Sequence, residues 1–383
     1  MDIETFEQVR EAVRRFTRER LVPLERQIEE EGRIPQEVID EMGQLGLFGL
    51  NISERYGGLG LTVREEVEVV TELTWAAAAF RSIISMNIGA GVQGLIIDGT
   101  PDQKQQWLPR IASGEIIAAF ALTEPDSGSD SAALTTKAVR DGDTYIINGT
   151  KRWVTNAPLA GLITVMARTN PDKQAGHEGI SAFLVPTDTP GITIGAKEHK
   201  MGQFGSELAD VFFDDVRVEA ANLLGGTEGR GFKTAMKAVT RNRLNIAAVC
   251  VGQARRILHE ALAFAVERKQ FGKRIAEFQL IQAMLADSET DLYAAEAMLK
   301  DAAQAYDDGQ EVARKASCCK LFASEMVGRL ADRAVQVHGG AGYMRDSAVE
   351  RLYRDVRAFR IYGGTTQIQQ LIIARDMLRE ATA

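Results

Sequence analysis

Thr144-Tyr145-Ile146-Ile147-Asn148-Gly149-Thr150-Lys151-Arg152-Trp153-Val154-Thr155-Asn156 is the stretch whose reading settles the architecture. Thr144–Ile147 and Lys151–Thr155 are dense in β-branched and aromatic residues, and Asn148-Gly149 between them is a turn signal. The same texture spreads outward from Ile116 to about Val218, through Ala118–Leu122, Ile163–Ala167, Ile180–Val185 and Val211–Phe213. Asp141-Gly142, Asn170-Pro171 and Thr189-Pro190-Gly191 punctuate these runs. No crossover helix intervenes, so the block predicts a small antiparallel barrel or sandwich and excludes a Rossmann unit.

Both flanks of that block read as helical. Phe6, Val9, Val13 and Phe16 keep a helical period, Ile34-Pro35 opens a further helix, and Val63 to about Ala90 predicts one long buried helix. Gly89-Ala90-Gly91-Val92-Gln93-Gly94 matches a dinucleotide fingerprint by letter. It follows a helical pattern where a strand is required, so it is rejected as one. After Gly231, Phe232–Val266, Phe278–Asp307, Val312–Val337 and Ser347–Arg360 predict a four-helix bundle, closed by Ile368–Leu378. The expectation is mainly α with a β insert: helical residues 1–118, a small β-barrel over 119–222 and a bundle over 223–383.

With 383 residues the chain is long enough for several buried cores, and 45% hydrophobic with 26% charged content is ordinary for a globular protein. A net charge of −8 argues against nucleic-acid binding. Cys250, Cys318 and Cys319 do not make a disulfide framework, which implies a reducing compartment. The four histidines form no metal-binding motif. An acidic, amphipathic start and the lack of a membrane-length apolar run predict a cytoplasmic protein with no membrane partner.

Near the C-terminus, Phe359-Arg360-Ile361-Tyr362-Gly363-Gly364-Thr365-Thr366-Gln367-Ile368-Gln369 places a tight glycine corner before a helix. Alone it reads as a connector whose amides are well placed to hold an anion or a polar ring edge. Taken with Phe120–Asp130, Lys151–Asn156, Glu267–Gly272 and Val335–Gly340, in this order around the β block, it resembles the acyl-CoA dehydrogenase family over essentially the whole chain. The resemblance implies FAD, an acyl-CoA substrate, electron-transfer flavoprotein as acceptor, and a homotetramer built as a dimer of dimers. It implies flavin contacts from Phe120, Leu122, Thr123, Trp153 and Thr155, with Ser129 near the diphosphate or CoA. An aromatic face beside a hydroxyl also suits a flavin ring on chemical grounds. Arg268, Gln270, Phe271, Gln279, Gln336, Gly339, Gly340, Thr365 and Gln367 fall on positions that meet FAD, several of them across a subunit boundary. Arg243 and Tyr362 are expected at the thioester or CoA end.

Oxidation of an acyl thioester needs a base for the α-proton while the β-hydride leaves for the flavin. In the family the base is a glutamate directly before Gly-Thr, or one just before an arginine on the first bundle helix. Here those positions hold Gly363 and Asn242. Three readings compete: an otherwise active enzyme whose glutamate has been lost or replaced, a carboxylate supplied from elsewhere, or altered chemistry. The last resembles 3-sulfinopropionyl-CoA desulfinase, which releases sulfite without dehydrogenation; a silent FAD- or acyl-CoA-binding subunit is a further alternative. Arg81, in an apolar helix, resembles the arginine with which glutaryl-CoA dehydrogenase holds a distal carboxylate, which implies an acidic or polar acyl tail.

Overall fold

The structure, a computed structural model, describes residues 1–382. Seven helices lead: α1 (Ile3–Phe16), α2 (Glu25–Glu31), α3 (Gln36–Gln44), α4 (Val63–Leu73), α5 (Ala78–Ile84), α6 (Ala90–Asp98) and α7 (Pro101–Ala112). Thr62 and Glu65 close a reciprocal capping box at the start of α4, and Thr100 with Gln103 does so for α7. The first amides of α4 also donate to the Asp307 carboxylate, at 2.8 Å from both Val63 N and Arg64 N. That acid satisfies orphan donors at a positive helix end and ties the N-terminal helices to the bundle.

The expected helix from Val63 to Ala90 is broken. Gln253 Nε2 donates to the carbonyls of Thr74 and Ala76 at 2.6 and 2.7 Å, and Glu25 accepts from Ala77 N at 2.8 Å. Side chains distant in sequence thus take the backbone groups that a continuous helix would pair. Gly91 opens α6 where an added Cβ would lie 2.8 Å from Met86 O, so the Gly89–Gly94 run serves close helix packing.

The middle block forms a seven-stranded sheet of β1 (Ala118–Ala121), β2 (Lys137–Asp141), β3 (Thr144–Thr155), β4 (Leu162–Arg168), β5 (Ile180–Pro186), β6 (Ile192–Ile194) and β7 (Leu208–Glu219). It is mixed rather than antiparallel throughout, because β4 pairs parallel with β1 and β2 and antiparallel with β5. Asn148-Gly149 is not a turn: β3 runs through it with a register shift against β7. Asn148 and Asp215 exchange two hydrogen bonds of 2.9–3.0 Å, and a Cβ at Gly149 would lie 2.5 Å from Thr136 Oγ1. The glycine answers a close approach by the residue just ahead of β2, at a bulge.

The C-terminal part holds α8 (Gly231–Glu267), the small hairpin β8 (Lys269–Gln270) and β9 (Lys273–Arg274), α9 (Gln279–Asp307), α10 (Ala313–His338), α11 (Ala348–Val356) and α12 (Thr366–Ala381). The helical spans match their periodicity closely. At 37 residues α8 is about 55 Å long. Its buried face, from Leu244 to Ile257, joins the bundle and the N-terminal helices in one apolar core. A second core fills the sheet, and a third seals α6 and α7 against it. The fold is therefore an N-terminal helical part, a middle β half-barrel and a C-terminal helical part, meeting around one cavity.

Candidate functional site

That cavity, about 740 Å³, has a β wall and a helical wall. Phe120, Leu122 and Thr123 leave the end of β1, while Trp153 and Thr155 come from β3. Opposite them stand Arg81 of α5, Asn242, Arg243 and Ile246 of α8, and Tyr362 with Gly363 at the glycine corner. Ser129 lies on the rim side and is exposed.

The β wall is pinned from behind by a closed charge network. Lys151, fully buried, donates to Leu122 O at 3.1 Å and Glu124 Oε1 at 2.8 Å. Glu124 also accepts from the amides and hydroxyls of Thr135 and Thr136 at 2.5–2.9 Å. Burial brings the Lys151 ammonium down to about 8 against the pull of Glu124. Burial alone would raise Glu124, but Lys151 and the threonine donors hold it at about 2.

In front of this network Trp153 takes φ +54° and leaves 55% of its surface open. Its amide donates to Asp210 Oδ1 at 3.0 Å and the Arg152 guanidinium lies 4.9 Å from its ring centre. A left-handed backbone under a bulky side chain is a strained choice that marks functional positions. Trp153 and Thr155 both reach the cavity, as expected. The reason is the register shift between Lys151 and Val154 as much as strand alternation.

The helical wall has no comparable charge balance. Arg81 is 5% exposed, donates to Asn245 Oδ1, and leaves its Nε without a partner. The nearby Glu66 is already engaged by Arg241 and by Asn245 at 2.7 Å. Burial lowers the Arg81 pKa. Gly363 sits at φ +66°, and a Cβ there would lie 2.3 Å from Ile246 Cδ1. Asn242 Oδ1 is buried without a hydrogen-bond partner. Lys320 of α10, fully buried, supports the corner by donating to Gly364 O at 2.7 Å. Among the described residues, Glu198 is the single carboxylate lining the cavity.

Several of these groups were invisible to sequence reasoning. The loop Glu198–Gln203 covers one side of the cavity, held by Asp355, which accepts from Gln203 N while Gln203 Nε2 donates to Asp355 O at 2.9 Å. Gln203 has φ +55°, and burial pushes the Asp355 carboxyl up to about 7. Ile246, Lys320 and Arg354 carried no local signal either. The glycine corner itself is braced by Gln369, whose Nε2 donates to both Gly363 O and Gly364 O at 3.1 Å.

Arg268, Gln270, Phe271, Gln279, Gln336, Gly339, Gly340 and Gln367 do not reach this cavity; they lie exposed on the bundle and its hairpin. Phe271 is 93% exposed at φ +50°. Thr365 is half-buried and caps α12 by accepting from Ile368 N at 3.2 Å.

Comparison with known proteins gives three family matches in chain order. The N-terminal domain of acyl-CoA dehydrogenase matches residues 4–115, the middle domain 119–216 and the C-terminal domain 229–378. A probable acyl-CoA dehydrogenase of Bacillus subtilis is 42% identical over 371 residues, 97% of each chain. A subunit of the caffeyl-CoA reductase–Etf complex of Acetobacterium woodii is 40% identical, covering 92% of this chain and 93% of its own. A glutaryl-CoA dehydrogenase of Mycobacterium smegmatis in complex with FADH2 superposes with TM-score 0.91 at 30% identity, over 98% and 95% of the two chains. Matched from end to end in sequence and in shape, the chain belongs to the acyl-CoA dehydrogenase family.

Proposed function

We propose that the chain is an FAD-containing flavoprotein that takes an acyl-CoA with an anionic or strongly polar tail, and that no protein carboxylate stands at residue 363 to receive its α-proton. The observation that carries the reading is Arg81, a buried guanidinium facing the cavity with an unpartnered Nε. A buried charge needs a counter-ion, and the acyl tail is the group able to bring one. The β wall fits the cofactor, because Trp153 presents an aromatic face next to the Thr155 hydroxyl, with the Leu122–Thr123 backbone fixed by Lys151.

Bound there, FAD would supply the hydride acceptor for α,β-oxidation. Phe120, Leu122, Thr123, Trp153 and Thr155 flank its ring in this reading, Ser129 approaches the diphosphate or CoA, and Arg243 and Tyr362 line the thioester side. The exposed set Arg268, Gln270, Phe271, Gln279, Gln336, Gly339, Gly340 and Gln367, with Thr365, serves a neighbouring subunit's FAD within a homotetramer; their exposure in the single chain supports this. Electron-transfer flavoprotein is the acceptor, supported by the Etf-complex relative. No helix among the described residues is long and apolar enough to cross a membrane, and a cytoplasmic setting fits the free cysteines.

A second reading, a desulfinase-like lyase, is favoured by the side chains at both base positions: Gly363 has none and Asn242 offers an amide. Anaerobic mixing of the yellow protein with butyryl-, glutaryl- and 3-sulfinopropionyl-CoA separates the readings. Flavin bleaching with glutaryl-CoA, faster in Gly363→Glu/Ile246→Ala, supports oxidation. Sulfite without bleaching supports the desulfinase, and neither product supports a silent binding subunit. Colourless protein that takes up no added FAD overturns the reading altogether.

A further inference from the structure

Elsewhere in the molecule buried cations have acids beside them. Lys151 has Glu124, Arg241 has Glu66, and Arg256 has Glu25 and Glu260. Arg243 breaks this pattern. It is 7% exposed and lines the cavity, yet its one hydrogen bond is a long 3.3 Å contact with Ser317 Oγ. Its Nε has no partner, and among the described residues no carboxylate pairs with it. A second cation, Lys320, stands behind it under the Gly363–Gly364 corner; it donates to Gly364 O, and Glu325 acts on it at longer range without a salt bridge.

The deficit is separate from the one at Arg81. Arg81 is anchored on Asn245, and Asn245 and Arg243 are two residues apart on α8, so their side chains leave the helix about 200° apart. Two buried guanidiniums on one cavity, each lacking an acid, therefore point to two anionic groups rather than one.

We propose that Arg243, backed by Lys320, forms a second oxyanion subsite at the glycine corner, holding one small carboxylate-type anion next to Gly363. A planar guanidinium with free N–H groups suits a carboxylate or a related oxyanion. The corner supplies no side chain of its own at residue 363, and Ile246 fills only the position of the missing Cβ. The occupant is either a free small anion or a second acidic group on the bound acyl chain; both present the same chemistry to Arg243.

Calorimetric titration of the FAD-loaded protein with sodium acetate, at fixed chloride and ionic strength, tests this. In the Arg81→Gln background, which removes the other unpaired guanidinium, one saturable acetate per chain is expected, weakened at least about tenfold by adding Arg243→Gln and partly recovered with Arg243→Lys in its place. Absence of saturable binding, or binding indifferent to Arg243→Gln, overturns the proposal. Should Arg243→Gln fail to fold, Gly363→Glu/Ile246→Ala tethers a carboxylate in the same corner and should abolish acetate binding; acetate bound there at parental affinity again overturns it. Displacement of acetate by glutaryl-CoA but not butyryl-CoA assigns the subsite to the acyl tail. Acetate retained beside both assigns it to a free anion, and displacement by both gives the corner to the thioester and overturns a separate subsite. The acetate titration itself needs no acyl-CoA, so its outcome is independent of the acyl-CoA reading.

Discussion

The two walls of the cavity treat buried charge in opposite ways. Behind the β wall, Lys151 and Glu124 are both out of water and answer each other at 2.8 Å, with four threonine donors completing the acid. On the helical wall, Arg81 and Arg243 are almost as deeply buried, and each leaves a nitrogen unsatisfied. A balanced pair fixes shape whether or not anything is bound. An unbalanced cation is tolerable when a ligand supplies the other half. The contrast separates scaffold from specificity within a single pocket.

The largest expected effect comes from unbalancing the balanced side. Glu124→Gln strands the Lys151 ammonium and should cost about 3–5 kcal/mol of stability, read as a lowered urea midpoint together with weaker flavin retention. If stability is unchanged, the β-wall pair is ornamental and the contrast fails. Next in size, Arg81→Ala should lower kcat/KM for an acidic acyl-CoA by about a hundredfold, roughly 2–3 kcal/mol, with little effect on butyryl-CoA. An equal loss on both substrates would make Arg81 structural.

Per pH unit, the smallest effect concerns Asp355, an intermediate case. Its carboxyl is buried, which raises it to about 7, while Gln203 N and the Arg351 and Arg354 guanidiniums oppose that rise. The folded state therefore keeps a proton that the unfolded chain releases near pH 3.8. This contribution to stability is whole in acid and declines as pH rises from about 4 to about 7, by at most ~1.4 kcal/mol per pH unit. Asp355→Asn should flatten the urea midpoint between about pH 5 and about pH 7; an unaltered slope would remove Asp355 from the account.

Long amphipathic helices were legible from sequence because their period is set locally: Phe232–Val266 was expected and α8 spans Gly231–Glu267. Two features were not, for the same physical reason. Asn148-Gly149 has turn chemistry whichever way the chain goes, and the deciding contact is Thr136, just ahead of β2. The break after Leu73 is made by Gln253 and Glu25, distant in sequence from the carbonyls and amide they capture. At the site, motif residues such as Trp153 and Gly363 could be named in advance, and the structure brings them to one cavity. Lys320 and Ile246 could not: a lysine in a helix reads as solvated, and an isoleucine as core.

The isoleucine also bears on how the corner could be refilled. Its terminal methyl lies 2.3 Å from the point where a side chain at residue 363 would begin, and the backbone there is left-handed. The methyl is the far end of a flexible side chain and can turn aside, so the lasting cost of any residue other than glycine at 363 is set by the backbone. A glutamate placed there is held under strain rather than refused by crowding.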